Sequence, residues 1–139
     1  MAGYAGSCAC GAIQYEFAVE PIGSGHCQCR GCQRATGTGH SAGLLVPKSA
    51  FKLTGTPKLY ERGADSGGKV SNAFCEKCGT PLYCVSTSMA DIVFVRVGSL
   101  NDPSGFTPQM VVFAESGHAW DHMDPSLPKF PKSPPMDKK

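Results

Sequence analysis

A mainly β domain built from short, mostly antiparallel strands is predicted by three features of this 139-residue chain. Its 17 glycines and 11 prolines break it into short segments and leave little room for long helices. Apolar residues recur in short alternating or β-branched runs rather than at helical spacing. Seven of the eight cysteines fall in tight groups, so that bound metal can tie several short strands together. Hydrophobic residues make up 41% and charged residues 17%, which is enough apolar material for one core and too little charge for a disordered chain.

The elements follow in order. From Ala12 to Val19, Ile13, Tyr15, Phe17 and Val19 alternate with polar or small residues, the pattern of a half-buried strand. Pro21 to Gly25 is a turn, and His26 to Thr36 carries the central cysteines and one helical turn. Ser41 to Val46, Phe51 to Thr54 and Lys58 to Glu61 read as strands, with a turn from Pro47 and a loop from Gly63 to Gly68. Lys69 to Phe74 leads into Cys75, and Leu82 to Ser86 is a strand. Ile92 to Val97 is the clearest strand, apolar and β-branched. After a loop over Gly98 to Gly105, Met110 to Ala114 is a strand, and Gly117 to Asp124 is irregular around Trp120, which reads with Phe113 as core. These readings give one domain over residues 1–124 and a flexible Pro- and Lys-rich C-terminal tail over 125–139.

Charge and hydropathy narrow the partners. The net charge is +2, but Lys129 to Lys139 contributes +3, so the body is close to neutral, and its basic residues are scattered. That predicts no nucleic-acid partner. No apolar run approaches the ~20 residues of a membrane span, and the N-terminus lacks a basic region followed by an apolar stretch. The expectation is a cytoplasmic chain with no membrane partner, in which grouped cysteines bind metal rather than form disulfides.

Cys75-Glu-Lys-Cys78-Gly and Cys8-Ala-Cys10-Gly each place two thiols where they can share an ion, with a glycine behind them to let backbone amides turn toward sulfur. Joined, they form a closed four-thiolate zinc site of the structural type. Cys27, Cys29 and Cys32 lie within six residues of one another, and no second pair remains to complete their tetrahedron. Three protein ligands with one open position is the pattern of catalytic zinc. The competing arrangement closes the site with Cys84, His26, His40, His118 or His122; on an extended segment His26 points away from Cys27. Zinc carrying three thiolates is a poor activator of water and a good host for a soft anion, above all a substrate thiolate. Beside this trio, Arg34 offers a cation for a substrate carboxylate, with Arg30 as the same or as a solvated turn residue. His40 serves as proton donor or acceptor, or as an ordinary loop histidine. Cys84 reads as a buried thiol, and His118 and His122 as surface or core-edge residues.

The chain resembles the glutathione-dependent formaldehyde-activating enzymes, grouped with the centromere protein V domain. The resemblance rests on Gly6-Ser-Cys8-Ala-Cys10-Gly11, on Cys27-Gln-Cys29-Arg-Gly-Cys32-Gln-Arg34-Ala-Thr-Gly37, on Phe74-Cys75-Glu-Lys-Cys78-Gly-Thr80, on Val97-Gly-Ser-Leu-Asn101 and on Trp120. It implies a small β-tent of the Mss4-like kind. It implies one structural zinc at Cys8, Cys10, Cys75 and Cys78, and a second, catalytic zinc at Cys27, Cys29 and Cys32. It implies a carbon–sulfur lyase activity, in which glutathione or a similar thiol forms or releases its adduct with formaldehyde or another small aldehyde. A homo-oligomer is a separate expectation about partners, one that the sequence does not fix. The alternative is an Mss4-like binding module whose zinc is purely architectural. Two positions depart from the pattern: Gln28 stands where many members have histidine, and a histidine that many carry on the strand before the tryptophan falls near Val111.

Overall fold

The computed structural model describes residues 3–64 and 67–133. The chain falls into two compact units. One joins the chain up to Gly23 with Gly43–Phe106, and the other joins Ser24–Ala42 with the chain from Thr107 on.

In the first unit, β1 (Tyr4–Ser7), β2 (Gln14–Phe17) and β5 (Lys52–Thr54) form an antiparallel sheet with β2 at its centre. Period-two burial puts Tyr15 and Phe17 inside and Gln14 and Glu16 outside. The strand stops at Phe17, and Val19, expected on the same buried side, is 39% exposed. A second antiparallel run joins β4 (Ser41–Pro47), β9 (Ile92–Arg96), β8 (Pro81–Ser86), β7 (Lys69–Phe74) and β6 (Lys58–Gly63) as successive neighbours. β-Branched pairs such as Val46 opposite Val93 fit a pleated, half-buried face. Phe17, Val46, Leu82 and Val95 are almost wholly enclosed, and burial of each such side chain is worth about 1.5–3 kcal/mol. Phe51 bridges this core, 5.2 Å from the Tyr15 ring and 5.0 Å from the Tyr83 ring. Cys84 lies buried on β8.

In the second unit, β3 (Gly23–Cys27) pairs in parallel with β10 (Val111–Val112), His26 opposite Val111 and Cys27 opposite Val112. The sequence predicted a turn over most of β3; pairing with a distant segment makes it a strand. α1 (Arg30–Thr36) follows, two turns rather than one, and ends on Gly37 in the left-handed conformation. Within the stretch expected to be a flexible tail, backbone hydrogen bonds run as far as Lys132. The Val111 N–H donates to the Pro128 carbonyl and the Phe130 N–H to the Val111 carbonyl, both at 2.9 Å, and the Phe113 N–H donates to the Lys132 carbonyl at 3.1 Å. The rest of that tail, residues 134–139, lies outside the described residues. Among the described residues no helix is long and apolar enough to cross a membrane.

Candidate metal centres

The turn after β1 carries Cys8 and Cys10, and the turn after β7 carries Cys75 and Cys78. Both turns are built alike. Gly11 donates its N–H to the Cys8 carbonyl at 3.1 Å and Gly79 to the Cys75 carbonyl at 2.7 Å, and both glycines sit at φ +80°, where a side chain would be strained. Thr80 ties the turns together: its hydroxyl accepts from the Ala9 N–H at 3.0 Å and lies 3.2 Å from the Cys78 sulfur. The four sulfurs all lie within 4.8 Å of one another. Cys8 and Cys10 are 3.6 Å apart, and Cys10 and Cys75 are 3.7 Å apart. Zinc–sulfur bonds of about 2.3 Å require a tetrahedral edge of roughly 3.8 Å, so these spacings fit a four-thiolate zinc site. They are far too long for disulfides, whose sulfurs lie ~2 Å apart.

The thiols cannot all ionise unaided. The Thr80 hydroxyl, then the Thr80 and Cys10 backbone N–H groups, hold Cys78 down to about 5. At Cys10 a backbone bond from Ala12 lowers the pKa, but the neighbouring Cys8 thiol, burial, Cys75 and Cys78 outweigh it and push it up to about 11. A divalent cation removes this conflict by allowing every sulfur to be a thiolate.

The second cluster forms where β3 runs into α1. Cys27 ends the strand, Cys29 caps the helix by accepting the Cys32 N–H at 3.3 Å, and Cys32 is buried in the first turn. Their sulfurs also lie within 4.8 Å of one another, and no other His, Cys, Asp or Glu among the described residues joins them. The Cys29 and Cys32 thiols and then burial push the Cys27 thiol far up. At Cys29 a hydrogen bond with Cys27 lowers the pKa, but Cys32 and burial raise it overall. This donor set suits a soft cation and supplies three ligands rather than four.

Two buried amides brace the trio from the same unit. The Gln33 side-chain NH₂ donates to the Gln28 carbonyl at 2.8 Å and the Ser116 carbonyl at 3.2 Å. Its oxygen accepts from Arg30 and, at 3.0 Å, from His118. Gln28, between two ligands, donates to Asp121 Oδ2 at 3.0 Å, and Asp121 holds His40. Arg34 lies on the exposed side of the last turn of α1. Gln33 and Asp121 escaped sequence reasoning, because their partners lie up to 93 residues away and no local pattern marks them. Trp120 is corrected: it is 63% exposed and stacks on His118, rings 5.3 Å apart and 3° from parallel, rather than entering the core.

Among curated proteins none matches this chain. A crystal structure of a Rhodobacter sphaeroides protein, a structural-genomics target, is similar in fold, with a TM-score of 0.58 at 19% identity over 91% of this chain and 98% of that one. The model of the glutathione-dependent formaldehyde-activating enzyme family matches residues 3–116. That match spans most of the chain, so the chain belongs to the glutathione-dependent formaldehyde-activating enzyme family.

Proposed function

We propose that this chain is a carbon–sulfur lyase that makes and breaks the adduct between glutathione, or a similar thiol, and formaldehyde or another small aldehyde at Cys27, Cys29 and Cys32. The observation that carries this reading is a cluster of three ligand sulfurs without a fourth protein ligand among the described residues. Zinc bound there would offer a soft open position at which an incoming thiol stays deprotonated near neutral pH. The four-cysteine cluster would hold a second zinc with a purely structural role.

The protein's own residues then act on the organic partners. Arg34, exposed on the last turn of α1, attracts a carboxylate of the thiol substrate. The substrate thiol gives up its proton to His40, and its sulfur attacks the carbonyl carbon. A carbon–sulfur bond forms, and the C=O π electrons pass to oxygen. His40 passes the thiol's proton on to that oxygen and is neutral again; the reverse sequence releases the aldehyde. The assay is the rate of thiohemiacetal formation by zinc-loaded protein above the uncatalysed background, across several thiols and aldehydes. Cys29→Ala is expected to bring the rate to background while the four-cysteine metal stays bound. No excess rate with any pair rejects the substrate class.

A second reading, a binding module with architectural zinc only, draws on Leu59 and Tyr60, which stand 56% and 63% exposed on β6, the last strand of its run. Adduct formation at background rate together with stoichiometric capture of a partner through β6 would favour it.

A further inference from the structure

We propose that Asp121 is the positioning residue of the three-cysteine centre, holding the His40 imidazole with its proton on Nδ1 and leaving Nε2 as the nitrogen that exchanges a proton with the reactant. This rests on the proton-transfer role given to His40 above, and it adds the residue that sets which nitrogen acts.

The Asp121 side chain is 7% exposed, and its two oxygens lie 2.9 and 3.1 Å from His40 Nδ1. An ionised carboxylate only accepts hydrogen bonds, so Nδ1 must carry the hydrogen. The carboxylate is held on its other flank by Gln28, an uncharged donor that is itself 4% exposed. His40 is thus a protonatable side chain that Asp121 hydrogen-bonds. The backbone is bare where this chain of contacts passes. A β-carbon on Gly39 would lie 2.5 Å from the Asp121 carboxyl carbon and Oδ2, and one on Gly117 would lie 2.5 Å from the Gln28 side-chain oxygen. The His26 ring meets the His40 ring edge-on with centroids 4.8 Å apart, which limits rotation of the imidazole. A buried carboxylate, a buried amide and two close-approach glycines thus converge on one histidine nitrogen. An orienting carboxylate of this kind fixes the tautomer and steadies the charge formed during proton transfer.

Asp121→Asn tests this without changing volume. The variant's oxygen can still accept from Gln28, and its NH₂ then replaces Oδ1, the oxygen nearer to Nδ1, which favours the His40 hydrogen on Nε2. Long-range ¹H–¹⁵N correlation spectra of the zinc-loaded protein, at a pH where His40 is neutral, are expected to show the Nδ1–H tautomer in the natural protein and the Nε2–H tautomer in the variant. The turnover number for adduct formation is expected to fall about 10²–10⁴-fold, the usual contribution of a general acid, with the KM for thiol and the metal content unchanged. Gln28→Leu, which removes only the second tether, is expected to leave the tautomer in place and cost less turnover. An Nε2–H tautomer in the natural protein, or a tautomer unmoved in Asp121→Asn, overturns the assignment, as does a tautomer that flips with no change in turnover. If the natural protein forms no adduct at all, the thiol–aldehyde reading fails instead, and the spectra still decide whether Asp121 orients His40.

Discussion

The sulfurs of Cys10 and Cys75 stand 3.7 Å apart although 65 residues separate them in the chain. The turn after the first strand and the turn after the seventh are therefore brought together at one point, and a cation held there would neutralise thiols that otherwise compete for ionisation. The two clusters should differ in what their loss does. Cys75 is 1% exposed, and Cys75→Ser is expected to remove one equivalent of metal and about 3–5 kcal/mol of stability, the scale for breaking a buried charged set by deleting one member. Cys29→Ser is expected to remove the other equivalent with a much smaller loss. Metal stoichiometry and urea unfolding of both variants check this; equal stability losses would contradict the division into a structural and a functional centre.

Gly6, in the sequence motif leading to Cys8, is fixed by packing. A β-carbon there would lie 2.3 Å from the Tyr15 ring carbon and hydroxyl and 2.6 Å from the Ser99 carbonyl, which as backbone cannot step aside. Gly6→Ala is expected to cost about 1–3 kcal/mol from overpacking, beyond any loss of the Tyr15–Ser99 hydrogen bond. Gly3→Ala, with nothing within 4 Å of the added carbon, is the control and should stay within ~0.5 kcal/mol of the parent. Chemical denaturation of the two variants makes the comparison.

What could be read in the sequence was what short-range chemistry dictates. Paired cysteines followed by glycine announce themselves because ligand spacing and positive φ are local demands, and Gly11 and Gly79 meet them with the same φ. β9 was legible because Ile-Val-Phe-Val can do little else than form a buried strand. What escaped depends on distant partners. Gly23-Ser-Gly-His-Cys27 has no apolar alternation, and it becomes β3 because the His26 N–H donates to the Met110 carbonyl and the Gln28 N–H to the Val112 carbonyl, each at 3.0 Å. The Asp121–His40 pair spans 81 residues. Pro128 and Phe130 sit in a stretch whose composition reads as linker, yet their backbone groups satisfy Val111. Trp120 misleads in the other sense: its size suggests core, but stacking on a histidine keeps it at the surface.

Tyr15 gives the fold an alkaline limit. Its hydroxyl lies 2.7 Å from Ser99 Oγ, and that serine lies 2.8 Å from the Arg96 carbonyl. Burial outweighs the lowering effect of the Ser99 bond and pushes the phenol up to about 12. In the unfolded chain a tyrosine titrates near 10. Between these values the folded form binds the extra proton, so stability falls as pH rises. The contribution is complete below about pH 10 and is lost by about pH 12, amounting to some 2–3 kcal/mol. Tyr15→Phe, weaker at neutral pH by about 1 kcal/mol for the missing hydrogen bond, is expected to close and then reverse its deficit over that range. Urea midpoints measured for both proteins would expose an error if the two curves stayed parallel.

Trp120 is the single tryptophan of the chain and therefore a clean reporter of the segment that carries Asp121. The parallel stack on His118 depends on Gln33, whose NH₂ is committed to two carbonyls, so that its oxygen faces His118 Nε2 and fixes that ring. An indole 63% exposed should emit at the wavelength of a solvated tryptophan, with its intensity reduced by contact with the imidazole. His118→Ala is expected to raise the intensity with little shift of the maximum. Gln33→Leu, which frees the His118 ring without removing it, should raise it in part. An emission maximum typical of a buried indole, or an intensity indifferent to both changes, would mean that this stack does not hold in solution and that the chain around Asp121 is arranged otherwise.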